Sequence, residues 1–234
     1  ANPSLTTLER QMEVPLFGTD PVEMGIDDSN KGAVLARIKA DAGYRQRFAE
    51  VFGSSGDVIT FGNIIKAIAT FQRGLVSFDS KYDRYLKKQA VLSAEELRGM
   101  QLFMGETAEC FHCHGSFNFN DQTNHLGSPT VNRAFHNTGL YNIDGKGGFP
   151  FPNRGLFEFT SLPADMGAFR ASSLRNIAKT APYMHDGSIA TLEEVLDFYA
   201  AGGRNITSGP HAGDGRLNPY KSDLIARINL SAQD

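Results

Sequence analysis

Hydrophobic residues recur with a helical period in several stretches of the chain. The clearest stretch runs from Thr60 to Phe78 and places five apolar residues on one stripe: Phe61, Ile64, Ile65, Ile68 and Phe71. A stripe of this period is typical of a helix that buries one face. A second stripe follows Asn30, a residue type that caps helices, and predicts one helix that continues toward Phe48. Residues 53–57 (GSSGD) predict a break between these two helices.

Two capping boxes mark the beginnings of two more helices: Ser93 with Glu96, and Thr191 with Glu194. In this motif the two side chains bond each other's backbone N–H groups and so satisfy the first turn of the helix. The first helix is predicted to reach Met104, and the second to end at the glycine pair 202–203. A short helix is also predicted near residues 221–230 (KSDLIARINL).

The helical period is lost between Gly115 and Gly167, where glycine, asparagine, proline and phenylalanine are abundant. An irregular segment of this length is uncommon in a compact domain unless it wraps something. Its phenylalanines could cover a large apolar body: Phe117, Phe119, Phe135, Phe149, Phe151, Phe157 and Phe159. The pattern therefore predicts a mostly α chain with an irregular wrap, and the polar residues 87–89 (KKQ) are the best candidate for a domain junction.

Composition narrows the class of protein. Hydrophobic residues make up 41% and charged residues 21% of the chain, which is ordinary for a globular protein. The net charge of −3 predicts no nucleic-acid partner. No apolar run approaches the roughly 20 residues of a membrane span. The first ten residues, ANPSLTTLER, lack the basic and apolar segments of a signal peptide.

Both cysteines lie in the stretch ECFHCHGSF, in the order Cys110-x-x-Cys113-His114. This is the c-type haem attachment motif, because two thiols at this spacing can form thioethers with one haem and the adjacent imidazole can reach its iron. A redox dithiol would need a βαβ context, and a zinc site would need further ligands, so both alternatives are weaker. A covalently attached haem c implies maturation outside the bacterial cytoplasm, in the periplasm.

The residues alone leave the second axial ligand open among six side chains: His125, His136, Met166, Met184, His185 and Tyr199. Methionine and histidine are the usual ligands in electron-transfer cytochromes. Tyr199 continues the helical stripe of Leu192, Val195 and Leu196, a pattern that by itself predicts a core residue.

Three segments resemble the bacterial di-haem cytochrome c peroxidase family, which includes the MauG and MbnH types: FRASSLRNIAKTAPYMHDGSIATLEEVLDFYAAGG, ITFGNIIKAIATFQRGLVSFDSKYDRYL and FHNTGLYN. The resemblance implies an all-α fold of cytochrome c-like haem domains, with long irregular loops wrapping the haem. It implies that residues 1–88 are the remainder of an N-terminal, peroxidatic haem domain and that residues 89–234 are a C-terminal haem domain.

The resemblance also implies ligands for two metals. Ordinary members have a methionine where this chain has Tyr199, whereas MauG-like members have a tyrosine, so His114 and Tyr199 are the implied axial pair of the iron. A phenolate oxygen is anionic and favours higher oxidation states. A calcium ion is implied between the two haems of the family, bound by the backbone carbonyl groups of Thr180 and Pro182, since calcium prefers oxygen ligands.

The segment RQMEVPLFGTDPVEMG resembles the family segment that lines the distal pocket of the first haem. By that resemblance Glu23 is the acid/base group for peroxide, Gln11 orients the peroxide and Pro15 shapes the pocket. The spacing between Gln11 and Glu23 is slightly longer than in ordinary peroxidases. Because this chain has one attachment motif, the second haem c is expected in a preceding part of a longer polypeptide.

The function implied by the resemblance is that of a periplasmic di-haem oxidoreductase. Hydrogen peroxide would produce a high-valent di-haem state that oxidises a partner protein at an aromatic side chain such as tryptophan. Two alternatives stay open: a conventional cytochrome c peroxidase that takes electrons from a small redox protein, and a mono-haem electron carrier.

Overall fold

The computed structural model describes residues 2–123, 127 and 134–231. Its contacts divide the chain into two compact units, a smaller one of residues 4–76 and a larger one of residues 77–234 with residues 1–3. Both units consist of helices and irregular backbone, apart from one short pair of strands, and this confirms the all-α fold. No helix among the described residues has both the length and the hydropathy needed to cross a membrane.

The smaller unit contains four helices: α1 (Leu8–Phe17), α2 (Lys31–Ala40), α3 (Ala42–Phe52) and α4 (Phe61–Gly74). Its buried core consists of Met12, Leu16, Ile26 and Ile65, and it joins α1 to α4. The predicted α4 is confirmed, although it ends at Gly74 and its Phe71 side chain is 68% exposed. Helix α1 was not predicted.

The prediction of one continuous helix from Asn30 toward Phe48 is wrong. Asp41 has extended backbone between α2 and α3, and its carboxylate accepts the Tyr44 backbone N–H at 3.0 Å, which caps α3. This local bond favours a new helix start over continuation. Asn30 precedes α2, but its side chain bonds the backbone of Asp27 and Gly25 instead of capping the helix.

Among its described residues the larger unit contains five α-helices: α5 (Lys81–Leu86), α6 (Ala94–Phe103), α7 (Phe111–His114), α8 (Phe157–Thr160) and α9 (Leu192–Ala200). Strand β1 (Asn205–Ile206) pairs antiparallel with β2 (Gly213–Asp214). Both predicted capping boxes are present, at the starts of α6 and α9. Gly202 follows α9 with a φ of +74°, so the predicted glycine end of this helix is confirmed.

Residues 221–230 form no helix, so the prediction of a short helix there is wrong. The irregular character predicted from Gly115 to Gly167 is confirmed for residues 115–123 and 134–156, which contain no helix, but it is wrong for residues 157–160, which form α8. In the sequence, the boundary between the two compact units falls between residues 76 and 77, so α5 belongs to the larger unit. The functional boundary between residues 88 and 89 stays a prediction.

Buried asparagines support this irregular backbone in place of regular secondary structure. Asn218 Nδ2 donates to the Tyr141 carbonyl at 2.7 Å, and Asn142 Nδ2 donates to the Asp214 carbonyl at 2.9 Å. Buried polar groups in proteins are almost always paired, and these amides pair carbonyls that no helix or sheet satisfies. The core beneath them is apolar: Leu140, Tyr141, Phe149, Tyr183, Ile189 and Phe198.

Candidate haem attachment site

The attachment motif lies on a single helical turn. Cys110 precedes α7, and the backbone N–H of His114 donates to the Cys110 carbonyl at 3.0 Å. Residues three and four positions apart on a helix share a face, so Cys110, Cys113 and His114 lie on the same side of this turn. Both cysteines are unpaired and partly buried, and burial raises the pKa of the Cys110 thiol. The turn thus presents two thiols and one imidazole together.

His114 is oriented by a backbone carbonyl. Its Nδ1 lies 2.9 Å from the Phe119 carbonyl oxygen, which accepts the ring N–H. This bond leaves Nε2 as the nitrogen with a free lone pair, the arrangement found in metal-ligating histidines. Burial lowers the pKa of His114, which favours the neutral imidazole that binds iron.

Tyr199 lies in the last turn of α9 and packs against the core of the larger unit. The side chain as a whole is partly buried, but its hydroxyl is desolvated, and this burial raises the pKa of Tyr199 to about 12. Negative charge on the thiols of Cys113 and Cys110 raises the same pKa further. The phenol oxygen therefore lies within electrostatic reach of both attachment thiols, although they are far apart in the sequence.

The other described candidates for the second axial position are not separated from Tyr199 by packing alone, since two of them pack against the same core as Tyr199. His125 lies outside the described residues. Met166 and Met184 pack against the apolar core of the larger unit. His185 stacks on the Phe169 ring, with 3.8 Å between the ring centroids. These three described side chains are engaged in packing contacts.

His136 is held by a carboxylate that the sequence analysis missed. Its Nε2 lies 2.8 Å from Asp121 Oδ2, and this bond, followed by one to the Cys113 side chain, raises the pKa of His136 to about 10. An imidazolium has no lone pair for iron, so the ion pair disfavours His136 as a ligand. His136 lies in the FHNTGLYN segment, but no local motif pairs it with Asp121, and only the fold brings the two side chains together.

The face of α9 that carries Tyr199 also carries exposed apolar surface. The sequence pattern placed Leu192, Val195 and Leu196 in the core, but Leu196 is 63% exposed and Phe198 is the buried residue of the helix. Leu196 precedes Tyr199 by three residues and therefore lies beside it on the helix. Two thiols, a neutral imidazole, a desolvated phenol and adjacent apolar surface make a donor set that fits a c-type haem.

The residues predicted to bind calcium lie on an exposed turn. Thr180 ends a short 3-10 helix (Ile177–Lys179), and Pro182 follows a cis peptide bond two residues later. Within the described part of the chain, neither carbonyl oxygen accepts a hydrogen bond. Two such oxygens fit a hard cation such as calcium, but they would supply only part of its coordination shell. Calcium binding by Thr180 and Pro182 stays a prediction.

The three predicted peroxide-site residues lie on α1 and on the segment that follows it in the smaller unit, and their roles stay a prediction. Gln11 and Pro15 are one turn apart on α1, so they share a face of that helix. The chain then folds back, and the backbone N–H of Met24 donates to the Pro15 carbonyl at 2.9 Å. This bond places the neighbouring Glu23 beside Pro15. The side chains of Gln11 and Glu23 are exposed within the described structure.

Comparison with known proteins identifies relatives of one family. Residues 2–91 match the family described as di-haem cytochrome c peroxidase. A crystal structure described as a MauG-like protein associated with microbial copper homeostasis is 60% identical, with a TM-score of 0.96. That similarity covers 100% of this chain and 67% of the other chain.

Two relatives of known class extend the comparison. The methylamine utilization protein MauG of Methylorubrum extorquens is 36% identical over 203 residues, which are 86% of this chain and 51% of the relative. The cytochrome-c peroxidase IdrP1 of Pseudomonas sp. (strain SCT) is 35% identical over 214 residues, which are 85% of this chain and 52% of the relative. This chain thus spans about half the length of the curated relatives it matches.

Proposed function

This chain belongs to the di-haem cytochrome c peroxidase family, and we propose that it serves in a periplasmic oxidoreductase of the MauG/MbnH type. In the proposed reaction, hydrogen peroxide takes up two electrons and two protons and leaves as water. The electrons come from an aromatic side chain, such as tryptophan, of a partner protein. The observation that carries this proposal is the desolvated Tyr199 hydroxyl within electrostatic reach of the Cys110 and Cys113 thiols.

The proposed cofactors are one haem c on this chain, a second haem c on the rest of the protein, and calcium. A bound haem c supplies the one-electron redox chemistry of the reaction. The Cys110 and Cys113 thiols would attach it covalently, and His114 would bind its iron through Nε2, since Nδ1–H is bonded to the Phe119 carbonyl. Calcium would bind the Thr180 and Pro182 carbonyl oxygens.

Tyr199 determines which type of enzyme the site supports. Its pKa of about 12 keeps the phenol protonated at neutral pH in the bare chain. Thioether formation would remove the thiol charges that oppose ionisation, and a neighbouring metal cation would favour the phenolate, so Tyr199 would ligate as the anion. An anionic oxygen ligand stabilises the oxidised metal, whereas the methionine of an ordinary peroxidase raises the reduction potential. Tyrosine ligation therefore suits the storage of oxidising equivalents.

Two relatives support this type over the alternatives. The methylamine utilization protein MauG is 36% identical to this chain, and the MauG-like protein associated with copper homeostasis is 60% identical. We infer the same type of reaction here, and an association with copper homeostasis. The conventional peroxidase remains the second candidate because the Pseudomonas cytochrome-c peroxidase is 35% identical.

The ligand set is tested by replacing Tyr199 with phenylalanine in the full-length, haem-loaded protein. Tyr199→Phe should change the absorption and electron paramagnetic resonance spectra of the haem on Cys110 and Cys113, and the peroxide-generated oxidised state should be lost. Tyr183→Phe is a matched control, since Tyr183 is a buried tyrosine of the same core whose hydroxyl donates to the Ile177 carbonyl. Unchanged spectra in Tyr199→Phe would mean that Tyr199 only packs in the core and does not bind the iron, and this would favour the conventional peroxidase.

The peroxide chemistry is tested separately at Glu23. Glu23 is proposed to move a proton between the two peroxide oxygens, with Gln11 orienting the peroxide and Pro15 shaping the pocket. General acid–base catalysis contributes about 10²–10⁴-fold, so Glu23→Gln should slow the reaction with peroxide by that factor. Glu13→Gln, an exposed glutamate on α1, should leave the rate unchanged. Equal rates in the two variants would exclude Glu23 from the chemistry.

A further inference from the structure

Three consecutive residues hold three consecutive carbonyl groups of the segment that follows the attachment motif. We name residues 173–175 the Ser173–Arg175 clamp. Its bonds run from Ser173 Oγ to the Asn118 carbonyl, from Leu174 N to the Phe119 carbonyl, and from Arg175 Nη2 to the Phe117 carbonyl, at 2.7, 3.3 and 2.5 Å. The segment therefore has a fixed place although it belongs to no helix or strand.

The clamp is anchored by a buried ion pair. Arg175 Nη1 lies 3.0 Å from Asp83 Oδ1, and the two side chains are only 11% and 7% exposed. The guanidinium carbon lies 3.7 Å from the centroid of the Phe78 ring, and Nη1 also donates to the Ser77 carbonyl at 3.3 Å. Separating a buried pair of opposite charges is strongly unfavourable, so the guanidinium has one strongly preferred position.

The Phe119 carbonyl joins the clamp to the haem site. It accepts the Leu174 backbone N–H at 3.3 Å and the His114 Nδ1–H at 2.9 Å. One oxygen thus serves two donors, and its position relative to the imidazole depends on the bonds that hold Phe117 and Asn118. Partners of this kind orient a ligating histidine and adjust its basicity.

We propose that the Ser173–Arg175 clamp is a positioning device that fixes the Phe119 carbonyl on His114 and thereby sets the reduction potential of the haem on this chain. The inference rests on the proposed ligation of iron by His114. A close acceptor draws the Nδ1 proton away and makes the imidazole a stronger electron donor, which stabilises the ferric iron and lowers the potential. Loosening the clamp lengthens this bond and therefore raises the potential.

The test measures the potential of the His114-ligated haem in full-length, haem-loaded protein by spectroelectrochemistry. Arg175→Lys keeps a positive charge opposite Asp83 but removes the donor to the Phe117 carbonyl. Ser173→Ala removes one hydroxyl from an exposed residue and should fold without difficulty. Both variants should shift the potential upward, and together they should shift it further than either alone.

Arg154→Lys is the matched control. Arg154 also pairs with a carboxylate, Glu158 at 2.7 Å, and also lies over a phenylalanine ring, but it makes no bond to the clamp. The reduction potential of the haem in Arg154→Lys should equal that in the wild type. A lower melting temperature with an unchanged potential in both clamp variants would overturn the proposal, since the clamp would then be merely structural. If Arg175→Lys does not fold, Ser173→Ala decides alone.

Failure of the proposed function gives a different result. Mass spectrometry of the wild-type protein shows whether Cys110 and Cys113 carry a haem, and spectra of His114→Gly with added imidazole show whether His114 is a ligand. Bare thiols, or a haem that does not respond to His114, would refute the haem site itself. An attached, His114-ligated haem with a potential insensitive to both clamp variants would refute only the clamp.

Discussion

Replacing Asp83 with asparagine should reveal how much stability the buried carboxylate contributes through its charge. Asp83 is the third residue of α5, where it forms a capping box with Ser80 and pairs with Arg175. The Ser80 hydroxyl bond, together with Arg175, lowers the pKa of Asp83 from 3.8 to about 2. Asparagine preserves the shape of the side chain but removes the charge that these partners stabilise.

The expected loss of folding stability in Asp83→Asn follows from the lowered pKa of Asp83 and from its ion pair with Arg175. A lowered pKa contributes stability that is present above the unfolded-state pKa of 3.8 and is lost as pH falls through about 2. At about 1.4 kcal/mol per unit, the lowering of the pKa from 3.8 to about 2 corresponds to about 2.5 kcal/mol. The loss of the Arg175 pairing is already part of this contribution, because Arg175 is one of the groups that lower the pKa of Asp83.

Urea unfolding of the full-length, haem-loaded protein, followed by circular dichroism, measures the effect. Asp83→Asn should lower the free energy of unfolding by about 2–3 kcal/mol at pH 7, and by roughly half of that amount at pH 3. Asp79→Asn is the matched control, because Asp79 pairs with Arg84 at 3.4 Å but is 81% exposed. It should cost less than about 1 kcal/mol. The same difference between wild type and Asp83→Asn at pH 7 and pH 3 would refute the electrostatic reasoning.

Three further predictions concern other positions in the larger unit. Gly167→Ala should lower the melting temperature more than Gly145→Ala: both glycines have a φ near +70°, but only at Gly167 would a Cβ meet the Phe149 ring, at 2.1 Å. Thr191→Ala should reduce the free energy of unfolding by about 1 kcal/mol in urea titrations, because α9 loses its capping box. Asp121→Asn should lower the pKa of His136 in NMR titrations, because the Asp121 bond raises it. In the wild type the raised pKa stabilises the fold at pH values below about 6.5, and this stabilisation is lost as the pH rises toward about 10.

Helix starts were predictable because local chemistry determines them. The capping boxes of α6 and α9 need only residues three positions apart, and the structure forms both. The break at Asp41 was missed because its capping bond competes with an apolar stripe that favours continuation. The short helix expected at residues 221–230 does not form, which shows that an apolar pattern without a capping signal is weak evidence for so short a helix.

The candidate site was predictable to the extent that it is local. The attachment motif is a run of five residues and needs no tertiary contact to be recognised. Tyr199 has the spacing of a core residue, so only the family resemblance separated it from ordinary packing. The pairing of His136 with Asp121, and the clamp on the Phe119 carbonyl, had no signal in the sequence, since backbone carbonyls carry no residue identity and only the fold brings these groups together.

The irregular segment links stability to the chemistry of the site. A segment without helix or strand partners must satisfy its carbonyls with side chains, and around the attachment motif Ser173 and Arg175 supply those donors. The next carbonyl of the same segment, that of Phe119, accepts from the Leu174 backbone N–H and from His114. Substitutions that loosen this segment should therefore change the potential of the haem as well as the stability of the fold. Substitutions that remove a distant cap, such as Thr191→Ala, weaken the fold without altering the bonds made by the clamp.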